Sequence, residues 1–191
     1  MLRIMPVNAL NLICGKIENQ IVTDVVLKNV FSGVTYSTKG IWDTGATNSV
    51  ITETAAKALG LVPITKADVT GIHGTQESNV YFVNITLNND QITQNAQVTE
   101  CKKLSPNDDI GMLIGMNIIN KGDFVISNHN GHTIMTFRTP SLESIDFVEE
   151  IKEHNRIYKI HDVWKAKGIE KCPCGSKKDF RNCHEKDKYN I

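Results

Sequence analysis

Up to residue 137 the chain runs in short stretches where Val, Ile and Thr alternate with polar residues, each closed by Gly, Asn or Asp. That pattern predicts many short strands. Residues 21–28 and 34–41 read as a strand pair around a turn at 29–33, and 92–100 as a further strand. Residues 69–71 and 79–87 flank Ile72-His73-Gly74-Thr75, the expected tip of a hairpin. The Ala-rich run 52–59 predicts a short helix stopped by Gly60. Residues 102–109, with Pro106 and a cluster of charged and amide side chains, predict a loop. Asn130-Gly131, between strand-like runs 124–126 and 132–137, signals a type I′ turn. At the start, Pro6, Asn8 and Asn11 interrupt the apolar run and Ile13 is bulky before Cys14, so the segment reads as a first strand and not a leader.

The period changes after Pro140. Leu142, Ile145, Val148, Ile151, Ile157, Ile160 and Trp164 drift along one face of a predicted helix. Thr139-Pro140 or Ser141 is the expected start and Gly168 the expected stop. Charge follows the same division: the first 140 residues hold 21 charged side chains and the last 51 hold the other 21. The expected organisation is a β domain over 1–139, a helical linker over 140–168 and a small module over 169–191.

Lys+Arg and Asp+Glu balance at 21 each, so no basic field predicts specific nucleic-acid binding or an anionic membrane partner. No apolar run reaches the roughly 18 residues of a membrane span. Of five cysteines, Cys172, Cys174 and Cys183 crowd together, which favours metal ligation in a reducing compartment over a disulfide framework. Cys14 and Cys101 are expected to be small buried apolar residues. The expected location is cytoplasmic.

Chemistry enters at Gly40-Ile41-Trp42-Asp43-Thr44-Gly45-Ala46-Thr47-Asn48-Ser49-Val50-Ile51. A carboxylate at a strand end, in a turn of hydroxyls and backbone N–H groups, can be held ionised or share a proton. Gly45 permits close backbone approach, and Thr44 offers a bracing hydroxyl. Asp-Thr-Gly alone is equally an ordinary surface turn. Its wider context resembles the retropepsin-like aspartic proteases. Leu113-Ile114-Gly115-Met116-Asn117-Ile118-Ile119 is similar to that family's apolar-apolar-Gly element and helix, and Gly71-Ile72-His73-Gly74 stands where the family has its flap.

The resemblance implies a mainly β, closed acid-protease barrel and an aspartic endopeptidase acting on a peptide or protein. It makes Asp43, Thr44 and Gly45 the catalytic turn and Gly71, Ile72, His73 and Gly74 the substrate-covering flap. The tripeptide occurs once, so the resemblance implies a homodimer with one Asp43 from each protomer, titrating as a pair. Trp42 is larger than the family's usual residue and bears on pocket shape; Asn117 stands where cellular relatives often have Asp. His73 reads as a solvated turn histidine as well as a substrate contact, His129 and His132 read as solvated turn residues, and Asp108-Asp109 as a solvated acidic turn. Self-processing would fall in the accessible stretch 138–143. The alternative reading is a dimeric binding or scaffold module of the same fold.

Near the C-terminus, Cys172, Cys174, Cys183 and His184 have C-x-C-x8-C-H spacing. Four such ligands suit a closed structural zinc site, which a segment this short needs for order. The segment resembles the SEC-C zinc-binding tail of the bacterial preprotein translocase motor. That resemblance implies Zn2+ as a structural cofactor and a protein or ribosome as partner for the basic surface of Lys177, Lys178, Arg181, Lys186 and Lys188. A plain solvated face accounts equally well for those charges.

Overall fold

The computed structural model describes residues 6–71, 74–87 and 91–184 and divides the chain into two compact units, Met1–Leu142 and Glu143–Ile191. The first holds strands β1 (Asn8–Ile13), β2 (Val22–Asn29), β3 (Thr35–Trp42), β4 (Val50–Thr52), β5 (Thr65–Gly71), β6 (Gly74–Leu87), β7 (Thr93–Cys101), β8 (Ile110–Ile114), β9 (Asp123–Ser127) and β10 (Ile134–Thr139). Two short helices interrupt them, α1 (Glu53–Ala58) and α2 (Met116–Ile119). No helix among the described residues is long and apolar enough to cross a membrane.

The sheet order β2-β3-β8-β4-β7-β6 closes on itself because β6 also pairs with β2, giving a six-stranded barrel. Closure leaves no unpaired edge among these six strands. Period-2 alternation decides which residues face inward. In β2, Thr23, Val25, Leu27 and Asn29 are buried while Asp24 and Lys28 are exposed. β6 has two regimes. From Val83 to Leu87 every second residue is buried, whereas Gly74–Glu77 are all exposed and pair only with β5. Its outer half therefore forms an arm with β5 that projects from the barrel.

The predicted pair 21–28 and 34–41 is present as β2 and β3. The buried Asn29 side chain fastens their turn, accepting from the N–H groups of Phe31 and Ser32 and donating to the Leu59 carbonyl. The helix predicted over 52–59 is α1, capped by Thr52, whose hydroxyl accepts from the Ala55 N–H. Asn130 and Gly131 adopt φ of 55° and 74°, as a type I′ turn requires. They do not join the strands directly, because the β9–β10 ladder begins only at Ser127↔Ile134. Cys14 and Cys101 are half-buried and not fully buried as expected.

A second sheet, β1-β10-β9, supplies the remaining wall of the core. Trp42 packs there, stacked on Phe124 at 5.2 Å between ring centroids, with Nε1 donating to Thr23. Side chains alternate along β3, and the position of Trp42 faces the core. The stretch expected to be an accessible cut site is also tied down. Asp123 accepts from Arg138 Nε at 2.6 Å, from the Ser141 hydroxyl at 2.6 Å and from the Leu142 N–H at 3.2 Å.

The second unit contains α3 (Phe147–Lys165) and the cysteine-rich segment. The helix starts later than Thr139 or Ser141. Asp146 caps it, its carboxylate accepting from the N–H groups of Val148 and Glu149. It ends in a Schellman arrangement, with Ile169 N–H bonded to Trp164 O and Gly168 N–H to Lys165 O. The expected apolar face is buried only in part. Ile157 packs with Cys172 and Phe180, while Leu142, Ile145, Val148 and Ile151 are exposed.

Candidate active site and metal-ligand cluster

Asp43 lies where β3 leaves the barrel wall. β8 runs parallel to β3 and antiparallel to β4, so it sits between the strand entering the Asp43 loop and the strand leaving it. The loop 43–49 must cross the end of β8, and its backbone is knitted to that end. Asp43 N–H donates to the Ile114 carbonyl at 3.0 Å, Met116 N–H to Ala46 O at 2.8 Å, and Asn117 N–H to Thr47 O at 3.1 Å. Two N–H groups at the start of α2, unpaired within so short a helix, thereby find acceptors.

Gly115 is the pivot. A Cβ there would lie 2.6 Å from the Asn48 carbonyl carbon and oxygen and 2.9 Å from Ala46 O. Any larger residue pushes the loop off the β8 end. Ser49 and Asn117 complete the lock. The fully buried Ser49 hydroxyl accepts from the Gly115 N–H at 3.0 Å and donates to Asn117 Oδ1 at 2.7 Å. Asn117 Oδ1 also accepts from the Ser49 N–H at 2.9 Å, and Nδ2 donates to Gln97 O at 3.3 Å. An Asp at position 117 could accept the two Ser49 bonds but could not donate to Gln97. Ser49 went unnoticed in the sequence; its signal was a hydroxyl six residues after the aspartate, flanked by Val50 and Ile51.

Within this frame Asp43 is half-exposed, and Thr44 and Gly45 are exposed. The Gly45 N–H donates to Asp43 Oδ1 at 2.8 Å, which fixes the carboxylate within its own turn. One carboxylate is thus presented at the surface by a rigid support. The flap candidates are divided. Gly71 and Gly74 are the last paired residues of the β5–β6 arm, and Thr70 and Thr75 hydroxyls lie 2.9 Å apart beside them. Ile72 and His73 lie outside the described residues. His129 and His132 are exposed, as expected. Asp109 is exposed too, with a Ser105 hydroxyl bond that lowers its carboxyl below the usual range. Asp108 accepts from the Thr54 hydroxyl.

In the second unit, Cys172, Cys174, Cys183 and His184 each offer one ligand atom, all within 4.8 Å of one another. Cys174 Sγ and Cys183 Sγ are 3.6 Å apart, Cys183 Sγ and His184 Nδ1 3.4 Å, and Cys172 Sγ and His184 Nδ1 3.0 Å. A tetrahedral ion with metal–sulfur bonds of about 2.3 Å separates its sulfur ligands by about 3.8 Å, so the cluster fits one after small adjustments. Burial pushes the Cys172 thiol up to about 12, while hydrogen bonding from Ser176 pulls Cys174 down to about 6. A cation among them would hold the thiols deprotonated. Phe180 backs the cluster, stacked on His161 at 3.5 Å between centroids, and Tyr158 O–H donates to the His184 carbonyl.

Residues 29–118 match the aspartyl protease family model. The matched segment runs from the end of β2 into α2 and contains both halves of the Asp43–Gly115 lock. The match supports an aspartyl protease relationship for this part of the barrel. Among solved structures, the chain is similar to a retropepsin-like aspartic protease from Rickettsia conorii, at 16% identity over 70% of this chain and 96% of that one, with TM-score 0.47. It is similar to the Simian foamy virus protease at 21% identity, over 52% of this chain and 91% of that one, with TM-score 0.36. It is also similar to the retroviral protease-like domain of Ddi1 from Leishmania major, at 15% identity over 60% and 91%, with TM-score 0.40. No curated protein matches the sequence.

Proposed function

We propose that the chain is a retropepsin-like aspartic endopeptidase that acts as a homodimer in the cytoplasm, with Asp43 of each protomer forming the catalytic pair. The observation that carries this reading is the lock itself, which holds a single half-exposed carboxylate on a rigid crossing of Asp43–Ser49 over Gly115.

One carboxylate cannot both activate a water and protonate a carbonyl. Two held close together cannot both ionise, so the pair retains one proton. The ionised member takes a proton from water as the water oxygen bonds to the scissile carbonyl carbon, and the protonated member gives its proton to the carbonyl oxygen. Collapse of the tetrahedral intermediate breaks the C–N bond, with a proton passing to the leaving nitrogen. No acyl-enzyme forms. Thr44, exposed beside Asp43, braces the facing turn, and the β5–β6 arm covers the peptide. In this reading the Cys172, Cys174, Cys183 and His184 cluster holds a structural Zn2+ as a SEC-C-type module, whose basic surface is offered to a protein or ribosome partner.

The test is cleavage of a denatured protein pool by wild type and Asp43→Asn. The expected result is peptide products from the wild type and a loss of at least about a thousandfold in the variant. Equal cleavage by both proteins removes the mechanism. No cleavage by a folded wild-type dimer at any pH from acidic to neutral favours a dimeric scaffold whose tail recruits a partner.

A further inference from the structure

The arm formed by β5 and the outer half of β6 leaves the barrel at one point. The β6–β7 ladder stops at Val80↔Thr99, and Asn79, Ser78 and the residues before them pair only with β5. A two-stranded ribbon has little stability of its own, so its direction depends on how its root is held. At that root, side chains replace the ladder. The Ser78 hydroxyl donates to the Glu100 carbonyl at 2.6 Å and accepts from the Glu100 N–H at 3.2 Å. It thus satisfies both backbone groups of the β7 residue next after the last ladder pair.

The Glu100 side chain reinforces the same point. Tyr81 O–H donates to Glu100 Oε2, and Asn79 Nδ2 approaches the same oxygen at 3.4 Å and the Tyr81 oxygen at 3.4 Å. The Tyr81 ring is buried in the barrel core, so its hydroxyl is a fixed post. Asn79 belongs to the arm and Tyr81 to the barrel, and they share one face of β6. Glu100 therefore links the arm's last residues to a side chain that cannot move without disturbing the core. A hydrogen bond to an ionised carboxylate is about twice as strong as a neutral one, which suits a fixed joint more than a passive contact.

We propose that Ser78, Tyr81 and Glu100 form the fixed root of the β5–β6 arm and act as positioning residues that set its angle to the barrel. The part concerning substrate rests on the aspartic endopeptidase reading; the part concerning the root does not. An arm with a loosened root must be ordered when a peptide binds, so the cost falls on binding and not on the chemical step.

Hydrogen exchange on the full-length protein without substrate tests the root directly, comparing wild type with Tyr81→Phe and Ser78→Ala. The expected result is exchange about tenfold faster across Thr65–Gly71 and residues 74–79, with unchanged protection in β2 and β3. Ser78→Thr, which keeps the hydroxyl, restores slow exchange. Should Tyr81→Phe disturb the barrel, Ser78→Ala decides, because its hydroxyl bonds only at the root. Unchanged arm exchange in a variant with an intact barrel overturns the proposal. In a cleavage assay the same variants raise KM severalfold with a smaller change in kcat. A wild type that shows no cleavage removes the endopeptidase reading while the exchange result still decides the root.

Discussion

The Asp43 loop and the Cys/His cluster are both small constellations of candidate functional side chains, but they are held in opposite ways. Around Asp43 the chain supplies everything: a closed barrel, a glycine that lets two backbones touch, and a buried Ser49–Asn117 pair that satisfies the crossing. In the second unit the core is Ile157, Cys172 and Phe180, with Tyr158 and Cys183 at its margin. Two of those five side chains are themselves candidate ligands. The barrel can order its site before any partner arrives, whereas the tail's site and the tail's core are one object. A few apolar side chains do not offset the conformational entropy of a segment this size, so on the zinc reading proposed above the ion completes the core.

The largest expected effect follows from that contrast. Chelation should unfold the tail and leave the barrel intact, since apparent zinc affinities in small modules reach about 10 kcal/mol or more. Circular dichroism together with metal analysis checks it: loss of one zinc per chain should accompany loss of α3 signal with no change in β signal. Persistence of α3 after complete removal would break the comparison. Next is Gly115→Ala, where the added methyl meets Asn48 at 2.6 Å. A destabilisation of about 3 kcal/mol and loss of cleavage are expected, measured by urea unfolding and turnover.

A smaller effect is expected from Asn117→Ala. It strands the Ser49 N–H and hydroxyl, at a cost of about 1–3 kcal/mol. Asn117→Asp should retain more stability than Asn117→Ala, because it keeps both acceptor bonds; the same unfolding curves rank the two. The smallest is a pH effect at the exit from the barrel. Hydrogen bonds from Ser141 and then Arg138 hold the Asp123 carboxyl below its usual range. A depressed folded value contributes stability that is fully present above the unfolded value of about 3.9 and is lost as pH falls through the folded one. Asp123→Asn should therefore lower stability at neutral pH by that small contribution, leave it unchanged below the folded value, and so flatten the acid limb of a stability-against-pH curve below about pH 4.

The barrel was readable where local chemistry and tertiary structure agree. Alternation placed β2 and β3, Thr52 and Gly60 bounded α1, and the run 113–119 stood out by its resemblance, about 70 residues after the Asp43 turn. The sequence showed that Trp42 is unusually large for its place but not which way it faces; on β3 it packs on Phe124 and Phe137. The start of α3 was misplaced because Thr139 and Ser141 have capping chemistry too, yet Ser141 spends its hydroxyl on Asp123, leaving Asp146 to cap. Ser78, Tyr81 and Glu100 were invisible for a different reason. Their joint depends on where one ladder ends and another continues, which no local pattern records.

The central claim is that each active site takes one Asp43 from each of two chains, and subunit mixing tests it most directly. Wild type is mixed with an equal amount of Asp43→Asn under conditions that exchange protomers, and peptide cleavage is measured against wild type alone. Random pairing leaves roughly one quarter of the dimers fully wild type, so the account predicts that activity falls to about half of the unmixed value. It should fall further as more variant is added. Activity that stays at the unmixed value, with protomer exchange shown to be complete, would contradict a shared active site.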